Sequence, residues 1–467
     1  MVGLSTNMAY SQADILEADD KTIGALGVGL LFIAATAGLI GFVSQNTTIF
    51  QNRGVAEFLL QAFLAFGFLF ILAIFANYKG MDILQDHAYA IIKWCYLISI
   101  GLFVGGLIIG GLLLLGSFIG ILFIGFGLLV LFLFSRGWPF IRERIRRAAE
   151  WLQISVTIVL NEPGMIVLAL IQSIIVGITV IMEAITIYAW NAYSQAMAYS
   201  QNTANLIAYG IMFLYLWLSL SVIYYFDGAN TFISYARIHN KDPTVGQGLN
   251  AASNKFLAII GYALLSAIVT FLTRLLFFRS IEMETQGRSE GNIGKVILAV
   301  VLRILSDLIQ WLYHLISFFT LPAIIIRQKN TKEAMIESKN LFTRTFWDMI
   351  ISDMGYSYGS TILYVVTGLI LSVAGFFYGY FVASAYLAVG QVIVGILMAI
   401  IALVFGLFAS RFFLKPLYTA LVTTIYVFAT EGPEALEIVP KRLSGYLENQ
   451  SRNPKYIPTN NQRSIRF

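Results

Sequence analysis

The sequence predicts an all-α polytopic membrane protein. It has about ten transmembrane helices, both termini in the cytoplasm, and cytoplasmic amphipathic helices between helical hairpins. Three observations carry that reading. Of 467 residues, 58% are apolar and 12% charged, about half the charged share of a soluble domain. The charges gather in islands between continuous apolar runs long enough to cross ~30 Å of hydrocarbon. Continuous runs, unlike alternating ones, argue against a β-barrel. Finally, Lys and Arg are distributed one-sidedly between the loops.

The runs place spans at about 22–43, 57–78, 90–112, 115–135, 163–190, 204–228, 255–278, 294–321, 358–382 and 386–410. Between Ile91 and Phe134 only Lys93 is charged. At ~1.5 Å per residue that stretch is too long for one pass, so a turn is placed in "GGLLLLGSFIG". With the N-terminus inside, 23 of the 30 Lys and Arg fall on inner segments and 3 on outer loops. This is the positive-inside pattern. It accounts for the net charge of +5 and the pI near 9.0 without any nucleic-acid surface. The expected location is the cell (plasma) membrane, with the bilayer and anionic lipid heads at the inner face as partners.

The N-terminal stretch "MVGLSTNMAYSQADILEADDK" lacks a basic n-region, so the first apolar segment reads as a retained anchor. A single cysteine, Cys95, leaves no intrachain disulfide and no cysteine-built metal site. Asn46-Thr47-Thr48 is a glycosylation sequon on an expected outer loop.

Four regions follow. Residues 1–21 form a cytoplasmic N-terminus and 22–135 a four-helix transmembrane module. Residues 136–432 form a six-helix domain and 433–467 a basic, partly disordered cytoplasmic tail. In the first module Gly101, Gly105, Gly106, Gly110, Gly116 and Gly120 make small-xxx-small spacings, which let helix backbones approach closely. They are a possible surface for a protein partner or an oligomer.

From residue 136 a unit recurs: a basic amphipathic segment, a helix out and a helix back. The segments are "WPFIRERIRRAAEWLQISVTIVLNEPGM", "ARIHNKDPTVGQGLNAASNKFLAIIGY" and "IIIRQKNTKEAMIESKNLFTRTFWDMI". In the first, Ile141, Ile145, Ala148, Leu152 and Val156 share a face. In the second, Thr244 with Gln247 forms a capping box, and in the third Asn330 with Glu333 forms an analogous start. Each segment is expected to nucleate a short helix on the inner face.

Residues 136 to about 432 resemble a prokaryotic family of uncharacterised six-helix integral membrane proteins. The resemblance rests on "DPTVGQGLNAASNKFLAIIGYALLSAIV", "FFTLPAIIIRQKNTKEAMIESKNLFTRTFWDMI" and "LYTALVTTIYVFATEG". Its central element is Leu321-Pro322, an apolar run, a polar turn, Ala334, Ser338, and Trp347 at the start of the next span. The resemblance implies an architecture and no activity, and it leaves the first 135 residues outside.

The candidate site lies on the eighth span, "VLRILSDLIQWLYHLISFFTLPA". At ~100° per residue, Asp307, Gln310, His314, Ser306 and Ser317 all fall within about 60° of Arg303. Charges at mid-bilayer cost about 2.5–3.5 kcal/mol, so they face protein or water and seek partners. Glu183 and Arg274 lie at a similar depth, giving an expected cluster of Glu183, Arg274, Arg303, Asp307, Gln310 and His314. Two states are open to it: a closed ion-pair lock or a wet cavity.

No H-E-x-x-H, G-x-S-x-G or P-loop is present, so no catalytic, cofactor or metal residues are assigned. The leading expectation is a non-catalytic, transport-related protein. A membrane scaffold or assembly factor is the alternative, and an intramembrane hydrolase using Glu183 and His314 ranks third.

Overall fold

A computed structural model describes residues 53–114, 117–381, 391–432 and 435. The first expected span, the Asn46 sequon and the C-terminal tail lie outside these residues. Among the described residues every regular element is an α-helix, and eight helical segments are long and apolar enough to cross a membrane.

The helices are α1 (Arg53–Leu113), α2 (Phe118–Asn161), α3 (Gly164–Ala196), α4 (Gln201–Ile238) and α5 (Val245–Asn254). They continue with α6 (Phe256–Glu290), α7 (Ile293–Ser317), α8 (Thr320–Ile326), α9 (Thr331–Phe381) and α10 (Gln391–Glu431). Four antiparallel hairpins result: α1/α2, α3/α4, α6/α7 and α9/α10.

Each break has a local cause. The α1/α2 turn falls where expected, with Ser117 capping α2 through the Gly120 amide at 3.2 Å. Glu162 and Pro163 end α2, because proline has no amide to continue the ladder. The Thr244–Gln247 capping box forms with both hydrogen bonds, and Asn330 accepts from the Glu333 amide at 3.0 Å.

Two expectations about segmentation do not match. The expected second and third spans lie in one continuous helix, α1, of 61 residues. Lys79, Asp82 and Asp86 suggest a loop there. Yet Met81, Leu84, Ala88 and Ile92 repeat at helical spacing, and all four are buried. Burial of that stripe, with no proline to interrupt it, carries the helix through. The amphipathic segments also differ, since only the second forms a helix of its own, α5. The first is the C-terminal half of α2 and the third opens α9. Their apolar faces are buried within the protein: Ile145, Ala148, Leu152 and Val156 belong to its core.

That core gathers Met81 to Ile92 of α1, the second half of α2, the ends of α4 and α10, all of α8 and the first half of α9. The chains approach closely at glycines. A Cβ on Gly355 would lie 3.1 Å from Ile92, and one on Gly359 would lie 3.2 Å from Leu84 and 3.3 Å from Leu152. So α1 and α2 both cross α9 at this notch. Away from the core, the hairpins present exposed Leu, Ile, Val and Phe, the surface a bilayer covers.

Candidate functional site

Where α7 ends, Phe318 and Phe319 interrupt the helix before α8 begins. Ser338 of α9 holds this break: its hydroxyl donates to the Ile316 carbonyl (2.6 Å) and accepts from the Phe319 amide (3.0 Å). Pro322 sits in the first turn of α8, where a missing amide costs nothing. Ala334, fully buried one turn before Ser338, lets α9 pack close to this break. The sequence pattern of Leu-Pro followed by Ala-x-x-x-Ser is therefore a device for breaking and re-docking a helix.

The break leaves room beside it. A cavity of about 290 Å³ opens between α4, α6, α7, α8 and α10. That is far more than one water requires and close to the lower bound for small-molecule sites.

On one side Lys415 of α10 reaches Asp227 of α4 at 2.8 Å. The Asp227 side chain is 7% exposed and that of Lys415 34%, so the ammonium is the accessible half of the pair. Gln172 of α3 supports the carboxylate from behind at 3.5 Å. Pro416 lies inside α10 directly after Lys415 and removes one intrahelical hydrogen bond there.

Aromatic and hydroxyl groups form the next wall. Tyr224 stacks on Tyr262 with ring centroids 4.5 Å apart. Ser266 shares a 2.7 Å hydrogen bond with Tyr313, and Tyr262 donates to the Ser317 carbonyl at 3.5 Å.

On the α7 side Gln310 and His314 line the cavity. His314 Nε2 lies 3.2 Å from the Tyr418 hydroxyl of α10. The Asp353 carboxylate of α9 lies beside that hydroxyl, within electrostatic reach of His314.

The structure divides the six sequence-derived residues. Gln310 and His314 border the cavity. Arg303 and Asp307 are exposed one to three turns away on α7. They form no ion pair with each other; Arg303 instead sits over the Phe277 ring at 5.1 Å. Glu183 and Arg274 lie within electrostatic reach of one another, across α3 and α6. Ser306 turns away into α6, donating to the Thr273 carbonyl at 2.9 Å.

Sequence reasoning overlooked Asp227, Lys415, Asp353 and Tyr418. Asp227 and Lys415 stand at the ends of apolar runs, where charge is ordinary. A pairing across 188 positions leaves no periodic trace. Pro416 next to a lysine inside a helical run was the available signal.

Among the described residues no group of three or more His, Cys, Asp or Glu side chains is placed to hold a metal. A second cavity, of about 530 Å³, lies between α1 and α2. Its Arg142 and Arg146 are offset by Glu143 and Glu150, so it is not an anion trap.

Residues 206–435 match the model of DUF6159, a family of unknown function. The matched residues run from within α4 to α10 and contain the whole cavity wall, including Asp227, His314, Lys415 and Tyr418, as well as Asp353. The match begins later than the residue 136 expected from the resemblance, leaving α1, α2 and α3 outside. No curated protein matches the chain.

Proposed function

We propose that this is a non-catalytic, transport-related protein of the cell membrane, with N- and C-termini in the cytoplasm, that binds a small polar solute in the cavity beside the α7–α8 break. One observation carries the reading. The cavity holds a charge pair whose lysine half is accessible, with Gln310 and His314 facing it across tyrosine walls. A packed scaffold has no need of such a void, because interior voids forfeit contacts.

The chemistry of the wall restricts the solute. Asp227 and Lys415 cancel, so a solute of large net charge finds no surplus counter-charge and pays for desolvation. A neutral or zwitterionic solute can hydrogen-bond to Lys415, Gln310 and Ser266 and lay an apolar part on the tyrosines. Thermal unfolding of the purified chain against a panel of small zwitterionic and neutral solutes tests this. A binding solute at 100 Kd raises stability by about 2.7 kcal/mol. The double variant Asp227→Asn/Lys415→Met removes both charges together and is expected to abolish the shift. If no solute stabilises the chain and a cysteine at Gln310 is unreactive, the reading fails.

A scaffold reading draws on a different observation. Cβ atoms built on Gly101, Gly105 and Gly106 would meet nothing within 4 Å among the described residues. That face of α1 is open to another helix, a second copy of the chain or a partner. Loss of a cross-linked oligomer on Gly105→Leu is the expected outcome under that reading.

A further inference from the structure

We propose that the polar face of α7 is a water-lined furrow through which a small zwitterionic solute reaches the cavity, with Arg303 and Asp307 meeting the solute's two charges at the mouth. The inference rests on the solute-binding reading and narrows its ligand class.

Direction comes first. At ~100° per residue, Asp307, Gln310 and His314 all lie within about 40° of Arg303. Gln310 and His314 line the cavity, so the whole stripe points towards the gap that holds it. At ~1.5 Å per residue the stripe extends roughly 16 Å from Arg303 to His314. With the termini in the cytoplasm, its Arg303 end is the outer one. Ser306, about 60° to one side, is buried against α6. Ile304, Leu308 and Leu312, about 100–180° to the other side, are exposed and apolar. The helix thus presents two open faces, an apolar one suited to lipid and a polar one.

The polar face is unfilled by protein. Arg303, Asp307, Gln310 and His314 are all exposed among the described residues. Arg303 and Asp307 are one turn apart, yet no ion pair joins them. A charged side chain at bilayer depth faces either protein or water. With no counter-charge from the described residues on this face, water is what remains.

The charges at the mouth select the ligand class. The Arg303 guanidinium sits over the Phe277 ring at 5.1 Å. A guanidinium resting on a ring keeps its planar N–H edge for a carboxylate. Asp307, about 6 Å further along the axis, offers an acceptor to an ammonium. The other two charges expected at this depth, Glu183 and Arg274, are again one of each sign. A net anion or cation is drawn by one residue of the mouth and repelled by the other. A zwitterion with its carboxylate turned towards Arg303 satisfies both. Asp227 and Lys415 repeat the same balance in the cavity, so the path carries two matched stations in series.

Water access is read by thiol labelling of the full chain in lipid nanodiscs, in a Cys95→Ser background. Asp307→Cys and Gln310→Cys are expected to react with a charged methanethiosulfonate at least tenfold faster than Leu308→Cys and Leu312→Cys. Equal rates at the polar and apolar positions mean a closed or dry furrow and overturn the proposal.

A second readout follows charge, with Gln310→Cys as the reporter at the inner end. Cationic trimethylammonium-ethyl and anionic sulfonatoethyl methanethiosulfonates are compared, each normalised to its own rate at Ser289→Cys, an exposed position near the α6/α7 tip. The native mouth is expected to give a ratio near one. Arg303→Gln is expected to shift it at least fivefold towards the cationic reagent, and Asp307→Asn at least fivefold towards the anionic one. Arg303→Lys is expected to restore the balance. A purely structural role for these residues gives no such opposed shifts. In the thermal panel, stabilisation is expected from zwitterions; a neutral solute that stabilises where no zwitterion does overturns the ligand class. An unchanged ratio in both charge variants overturns the mouth and leaves the solute site standing. No labelling at Gln310→Cys, together with no stabilising solute, overturns both.

Discussion

The packed end of the molecule and the apolar halves of its hairpins use charge in opposite ways. At the packed end, ion pairs join helices far apart in sequence. Arg144 and Arg147 of α2 meet Asp348 of α9 at 2.9 and 3.2 Å, Lys415 meets Asp227, and His239 meets Glu431 at 3.0 Å. Towards the tip of α6/α7 the pairs are local: Arg279–Glu282, Arg288–Glu284 and Lys295–Glu290. Deeper in that hairpin, Arg303 and Asp307 are in no ion pair among the described residues. Interhelical charge fixes the packed end. The α9/α10 hairpin is instead packed through close approach at small residues such as Gly375 and Gly379.

The largest expected effect comes from breaking the fixed end. Asp348 is 7% exposed and answers two arginines. Asp348→Ala is expected to cost about 3–5 kcal/mol, because it removes the carboxylate that two largely buried arginines share. Denaturant unfolding in detergent micelles checks it.

The apolar halves should respond to size instead. A Cβ on Gly375 would stand 2.5 Å from the Ala402 Cβ and 2.6 Å from the Met398 carbonyl oxygen. Gly375→Ala is expected to destabilise the α9/α10 hairpin by about 1–3 kcal/mol, typical of overpacking. The same unfolding assay reads it.

A gentler probe of the fixed end is pH. The Glu431 hydrogen bond holds the His239 imidazole above its ordinary value, with burial opposing. A group whose pKa is raised on folding contributes its full stabilisation below the unfolded value, near 6.5, and loses it as pH rises through the folded value. The melting temperature is expected to fall as pH passes above that range. His239→Gln should remove this part of the pH dependence.

The smallest effect belongs to the unpaired face. Asp307→Asn is expected to change stability by no more than about 0.5 kcal/mol, as for an exposed side chain without partners. A loss near that of Asp348→Ala would erase the distinction between the two regions.

How far the sequence revealed this depends on the range of the interaction. The Ser117 turn, the Thr244 capping box and the polar face of α7 are set by residues three or four apart, and periodicity exposes them. The continuity of α1 was also encoded locally, in Met81, Leu84, Ala88 and Ile92, but three nearby charges obscured it. The site divided along the same line. Gln310 and His314 were visible as one face of one helix. Asp227, Lys415, Asp353 and Tyr418 come from three other stretches of chain, and nothing local in any of them announces the others.

The unbroken α1 has a mechanical consequence. Its 61 residues make a rod of roughly 90 Å at ~1.5 Å per residue. The rod packs on α9 near Gly355 and Gly359 and pairs with α2 at its far end. A stiff body of that length acts as a lever. Tilting it by about 10° around its centre carries each tip some ~8 Å, more than one helical pitch. A small rearrangement where α1 crosses α9 is thereby magnified into a large excursion of the α1/α2 tip.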